Sequence, residues 1–233
     1  MTIDRMHIEF KVGLDKIDSA NSANILPEEV DIFLQDAYEQ FIETRISGLN
    51  EHRTGFEETQ KRIDDLKGLI KTYSTTSFTS NSDNLTNAVF VDLPTDYRHA
   101  IQETVKAQCL NGVVRSSKEV EVIPIKHGMY NRRIKNPFTA PNRERVLRLA
   151  YQGKHELLYN DITPQSYRLR YIKNPDKIDM AQLRTPVGLA GAASIELDEP
   201  THREIVAIAV KMALEAIMSN RYQTKSVETK IIE

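Results

Sequence analysis

The chain has 233 residues, 40% hydrophobic and 27% charged, an ordinary composition for a globular protein. A net charge of −2 excludes a global basic field for nucleic acid, and a single cysteine, Cys109, excludes an internal disulfide framework and fits a reducing compartment. No stretch approaches the roughly 20 apolar residues of a membrane span, and MTIDRMHIEF lacks the apolar run of a signal peptide, so neither is expected.

His7 to Val12 alternates, with Ile8, Phe10 and Val12 on one side and His7, Glu9 and Lys11 on the other, which predicts a short half-buried strand. Asp15 to Asn24 is polar and turn-rich, a loop leading into the first helix. That helix is expected over Leu26 to Ile46. Val30, Phe33, Leu34, Ala37, Tyr38, Phe41 and Ile42 recur at three- and four-residue steps on one face. Pro27 suits the first turn, Glu28, Glu29 and Asp31 favour the positive end of the dipole, and Arg45 favours the negative end. Thr54 and Glu57 have capping-box spacing and open a second helix. Phe56, Ile63 and Ile70 lie seven apart, with Leu66 and Tyr73 each three residues after the last two, so this helix is expected to run to Tyr73 and to pack antiparallel on the first across Ser47 to Arg53.

Ser74 to Asn87 reads as a long exposed loop, and Ala88 to Leu93 as a strand. Residues 99–110 fit either a helix (Ile101, Val105, Cys109) or a strand; Asn111-Gly112, a hairpin turn signal, favours the strand. Glu119 to Ile125 is a strand whose Pro124 suits an edge. Arg145 to Tyr151, Glu156 to Tyr159 and Tyr167 to Ile172 follow as a meander ended by Asn174-Pro175. Pro186 to Ser194 is small and flexible in composition. A second capping box, Thr201 and Glu204, opens a helix from His202 to about Tyr222 that is apolar almost all round and therefore buried on most sides. The expected class is α+β: a bundle of three main helices with an antiparallel β meander as an extension. One domain over 1–233 divides into a helical core from 25–73 and 200–222, a β-rich extension over 88–197 and a tail over 223–233.

Catalytic signatures are missing. No glycine-rich phosphate loop, H-E-x-x-H or C-x-x-C occurs, and the six histidines lie in different segments without ligand spacing. A lone cysteine such as Cys109 is far more often core packing than a nucleophile. Glu28-Glu29 and Asp64-Asp65 read as solvated helix carboxylates. One charge cluster stands out: Lys126, Arg132, Arg133, Lys135, Arg143, Arg145 and Arg148, with Glu144 the only acid among them. Asn136, Pro137, Pro141 and Asn142 make its middle extended. It is either a basic lobe that touches phosphate or an acidic protein surface, or a solvated loop whose arginines pair locally with acids.

The order of the pieces carries a resemblance. FKVGLDKIDSANSANILPEEVDIFLQDAYEQFIETR, GFEETQKRIDDLKGLI and LPTDYR come in sequence, followed by IKNPFTAPN, YRLRYIKNPDKI and THREIVAIAVKMALEA. Together they resemble head–tail connector, or portal-ring adaptor, proteins of tailed bacteriophages, most closely those of crAss-like phages. The resemblance implies a virion structural protein at the head–tail junction, assembled in the host cytoplasm as a homo-oligomeric ring, usually of twelve copies, beneath the portal protein and beside other tail or ring proteins. DNA would pass through the lumen without sequence-specific binding, no membrane is involved, and the tail over 223–233 would reach a neighbour or the portal. No catalytic residue, cofactor or metal is expected. Arg132, Arg133, Arg143 and Arg145 are expected to meet protein, either the neighbouring subunit or the next ring. A nucleic-acid-binding module using 126–148 ranks second, and an enzyme third.

Overall fold

Ile3, Met6, His7, Phe10 and Leu14 are buried, whereas Ile8 and Val12 are exposed, so the first segment follows a helical period. It forms α1 (Ile3–Ile17) and not the strand that the alternation of six residues suggests; over the longer window the 3.6-residue repeat prevails. The computed structural model describes residues 1–17, 25–47, 55–80, 87–111, 114–178 and 195–216; of the loop expected over Asp15 to Asn24, residues 15–17 belong to α1, and 18–24, the capping residue Thr54, the segment 186–194 and the tail over 223–233 lie outside the described residues.

The chain divides into two compact units, one from Met1–Leu69 and Pro175–Glu233, the other from Ile70–Asn174. In the first, α2 (Pro27–Ser47) matches the expected helix and buries Val30, Leu34, Ala37, Tyr38, Phe41 and Ile42. The His7 ring Nε2 donates to Asp31 Oδ1 at 2.7 Å, and Phe10 stacks on Phe33 at 6.2 Å, tying α1 to α2. The second expected helix is much shorter. Phe56 to Glu58 form a turn whose Gly55 N–H donates to Glu58 Oε2 at 2.8 Å, and α3 covers only Gln60–Leu66. One 3-10 turn follows, and the β-prone run Ile70–Thr75 then becomes strand β1, because a partner strand is available to it.

The last helix among the described residues, α5 (Glu199–Ala216), begins earlier than the capping box suggests. Pro200 sits in its first turn, and Thr201 donates from both backbone N and Oγ1 to Asp198 O, at 3.1 and 2.7 Å. Ile205, Val206, Ile208, Ala209, Val210, Ala213 and Leu214 are buried, as its apolar circumference predicts. Beyond Ala216 the expected helix lies outside the described residues. Gly13 faces Val210, where an added Cβ would stand 3.1 Å from a methyl. Gly68 is tighter: a Cβ there would fall 2.1 Å from the Glu196 carbonyl oxygen, a backbone atom that cannot swing away. Gly68→Ala should therefore destabilise this unit by about 1–3 kcal/mol, read as a lowered Tm; an unchanged Tm would mean that the two segments are not so closely apposed.

The second unit is one eight-stranded sheet in the order β1-β8-β4-β5-β6-β7-β3-β2. Its strands are β1 (Ile70–Thr75), β2 (Thr79–Ser80), β3 (Ala88–Asp92), β4 (Tyr97–Asn111), β5 (Val114–Pro124), β6 (Arg145–Tyr151), β7 (Lys154–Leu158) and β8 (Ile162–Lys173). The supposed loop over 74–87 thus contributes the end of β1 and the short β2. Residues 99–110 are strand, as the Asn111-Gly112 signal favours, and Asn111 pairs with Val114 at the end of the β4–β5 ladder. The sheet is mixed, not purely antiparallel, because β5 and β6 run parallel. Nor is β5 an edge. It pairs with β4 up to Glu121 and with β6 from Glu121 to Pro124, so Pro124 sits where the β4 ladder has already ended and no donor is missed.

The sheet curls into a half-barrel, and one face gathers Val91, Val105, Ala107, Val120, Val122, Val146, Leu157, Ile162, Tyr167, Leu169 and Tyr171 into a single core. The β4–β8 ladder carries register shifts at Tyr97/His99, Ala100/Gln102 and Lys106/Ala107. Each inserts a residue and bends the strand. The first two leave Tyr97 and Ala100 packed on the inner core and Glu103 buried, at steps of three where a regular strand has steps of two. Four strands send residues to the opposite face, where Ala88, Leu147, Leu149 and Leu158 form a second cluster with Ile123, Ile125 and Tyr130.

Candidate functional site

The basic segment between β5 and β6 is a folded lobe. A 3-10 turn (His127–Met129) leads into a short helix, α4 (Tyr130–Lys135), and the middle from Asn136 to Asn142, expected to be extended, begins instead as a turn. Tyr130 roots the helix in the outer cluster, and the His127 ring Nε2 donates to Ala150 O at 2.8 Å. After α4 the chain turns on Asn136. Its carbonyl accepts from Thr139 and Ala140 N–H at 3.0 and 2.9 Å, and its Oδ1 accepts from Phe138 N–H at 3.0 Å. Thr139 Oγ1 donates to Arg133 O at 3.1 Å. Asn142 and Arg145 form a β-bridge.

The four arginines singled out from sequence part company here. Arg145 is half-buried, and its Nη2 donates to Phe138 O at 2.5 Å and to Ala140 O at 3.3 Å, so its guanidinium clamps the loop shut. Arg132 and Arg133 lie exposed on α4, and neither guanidinium forms a hydrogen bond or ion pair among the described residues. Arg143 is exposed in the loop, and Glu144 pairs with Lys118 at 3.0 Å. The lobe also shows apolar surface: Phe138 is 87% exposed, with Met129 and Ile134 exposed nearby in the chain.

Arg148, the last cation of the cluster, points the other way. In the inner core its Nη2 meets Glu103 Oε1 at 2.7 Å. Tyr167 O–H donates to Glu103 Oε2 at 2.8 Å, the His155 ring Nδ1 lies 3.0 Å from Tyr167 O, and its Nε2 lies 3.4 Å from Arg148 Nη1. Since the tyrosine proton goes to the carboxylate, Nδ1–H must donate to the tyrosine oxygen and Nε2 accept from the guanidinium. The four side chains therefore close a hydrogen-bonded ring with one positive and one negative charge. Burial, then the Arg148 cation, pushes His155 down to about 3, so its imidazole is neutral. Burial pushes Glu103 up, against the opposing pull of Arg148 and Tyr167. Tyr97 packs edge-on to His155 at 5.6 Å. The hydrogen bonds run from β4 to β6, β7 and β8, so the arrangement serves to fix four strands to one another.

The helical unit has a second such cluster. Arg45 is fully buried, with Nε 2.9 Å from Asp65 Oδ2 and Nη2 2.5 Å from Glu204 Oε2, and its guanidinium lies 4.6 Å over the Phe41 ring. Arg62 Nη1 donates to Thr44 O at 3.0 Å, satisfying an end carbonyl of α2. These contacts join α2, α3 and α5. Glu204, expected in a capping box, is instead drawn to Arg45, and burial pushes its pKa up. Cys109 sits in β4 opposite Ser116 and Ile162, and the surroundings of its side chain lie outside the described residues. Among the described residues, no group of three or more His, Cys, Asp or Glu could hold a metal ion, and no helix is long and apolar enough to cross a membrane.

A family model described as phage tail ring protein 3/4 matches residues 1–228. The chain belongs to this family. It is a structural tail ring protein of crAss-like phages, a component of the virion. Among its relatives is Ring protein 3 of Bacteroides phage crAss001, 29% identical over 222 residues that cover 88% of this chain and 94% of the relative. For this tail ring protein the basic lobe is the candidate assembly surface, whereas the two buried ion clusters belong to the scaffold. Sequence reasoning placed Arg45 at a helix end and Arg148 in the exposed cluster. The signal that could have relocated them was parity: Arg148 shares a strand face with Val146, and Arg45 is four residues from Phe41.

Proposed function

We propose that this tail ring protein is a connector, assembling as a ring of twelve copies beneath the portal protein, joining capsid to tail and surrounding the DNA passage. Its part is architectural and needs no catalysis. The resemblance to head–tail connectors supports the position and the copy number. The observation that carries the reading is the division of exposed charge: cations crowd α4 and the following loop, while carboxylates such as Glu28, Glu29, Asp36, Glu39, Glu57, Glu58 and Asp64 stand exposed on α2, α3 and the turn before α3. Opposite charge on separate elements is what repeated contacts between copies use for register. A lumen lined with these cations would instead hold phosphate in a salt-dependent grip, which a passage for sliding DNA must avoid. Arg132, Arg133 and Arg143 therefore meet protein, and Arg145 shapes the loop between them.

The double variant Arg132→Glu, Arg133→Glu tests this. Both side chains are exposed, so the isolated chain should melt as the parent does, while phage carrying it should yield few complete particles. Normal rings at the head–tail junction together with altered DNA ejection would move these residues to the channel wall and overturn the assignment.

A further inference from the structure

An 87% exposed phenylalanine on a loop held by its own hydrogen bonds is an unusual use of an aromatic side chain. Phe138 stands on a turn whose backbone is fixed by Asn136, Thr139 and Arg145, so little conformational freedom remains to be lost when it is covered. The adjoining helix α4 adds exposed Ile134 and the exposed cations Arg132, Arg133 and Lys135. This is an apolar anchor with a positive rim, the form of a binding hot spot.

The first unit carries its counterpart. Ile32 is 61% exposed on the outer face of α2. Its helical neighbours three and four residues away are Glu28, Glu29, Gln35 and Asp36, which set an apolar side chain among three carboxylates. Leu26, at the start of the same helix, is also exposed. We infer that Phe138 and α4 of one copy seat on the acid-ringed Ile32 face of α2 in the next copy, an inference that rests on the ring reading above. Each patch repels its own kind, cation against cation and carboxylate against carboxylate, which disfavours a two-fold pair. Two different patches on one chain make a heterologous contact that repeats from copy to copy, the geometry from which rings close.

The test uses the full chain in a Cys109→Ala background, with Phe138→Cys in one preparation and Ile32→Cys in another. Mixing them under mild oxidation should give a disulfide-linked dimer, whereas each alone should stay uncrosslinked, because a disulfide needs Cα atoms within about 7 Å. In parallel, sedimentation should find self-association weakened at least about tenfold by Phe138→Ala, and likewise by Glu28→Lys with Asp36→Lys. That acid-face variant should bind the Arg132→Glu, Arg133→Glu variant more tightly than either binds itself. Equal crosslinking in each preparation alone would reveal a symmetric contact and overturn the inference. So would a parent chain, with both apolar anchors in place, that stays monomeric at every concentration, since the pairing needs only two copies. Rings seen in particles without the 138–32 crosslink would remove this contact and leave the connector reading standing; a particle without such a ring would remove that reading itself.

Discussion

Replacing Arg148 with methionine should destabilise the sheet unit by about 3–5 kcal/mol, the typical loss when one partner of a buried ion pair is removed. The side chains of Arg148 and Glu103 are 12% and 4% exposed, so water cannot take the guanidinium's place. The Glu103 carboxylate would keep its Tyr167 hydrogen bond and lose its cation, and His155 Nε2 would lose its donor. Hydrogen exchange of the β4, β6 and β8 amides measures this directly, because those strands hold Glu103, Arg148 and Tyr167. The cause is separable by adding Glu103→Gln, which takes away the stranded charge and should recover much of the loss. A double variant as unstable as Arg148→Met would show that packing, and not charge, sets the effect.

Arg45→Met is expected to lower the stability of the helical unit by about 3 kcal/mol, near the lower end of that range. Asp65 and Glu204 would then face each other, and Lys61, 3.6 Å from Glu204 and half exposed, would offset them in part. Arg45→Lys should not restore the loss. An ammonium on a flexible stem cannot serve two carboxylates in a planar fork while stacking on Phe41. The shift in Tm is the readout, and a lysine variant as stable as the parent would refute the bidentate role.

How much of this was legible in the sequence depends on whether a local pattern had to compete with a distant partner. In α2 and, as far as Ala216, in α5, pattern and partner agree, and both helices are where periodicity puts them, apart from the early start of α5 at Glu199. Ile70 to Thr75 fits a seven-residue helical repeat, and only pairing with Tyr167 to Ile172, a hundred residues on, makes it a strand. Within β4, Ile101, Val105 and Cys109 lie four apart and also on one parity, which is why helix and strand looked equally good there. The basic cluster was visible as composition. Its division into a clamp at Arg145, a core cation at Arg148 and outward charges at Arg132 and Arg133 depends on carbonyls and carboxylates that no spacing rule connects to them.

The ends of the sheet have a consequence for a protein that works in many copies. One border is β2, two residues long, and the other is β1, six residues of mixed polarity with Lys71, Thr72, Ser74 and Thr75. An exposed strand border offers unpaired backbone groups to any chain beside it, and subunits gathered in one assembly meet at very high local concentration. A long apolar border would let sheets fuse edge to edge into open-ended aggregates. With one border cut to two residues and the other carrying a lysine and hydroxyls, strand addition has little to build on, and side-chain surfaces are left to decide which copies join.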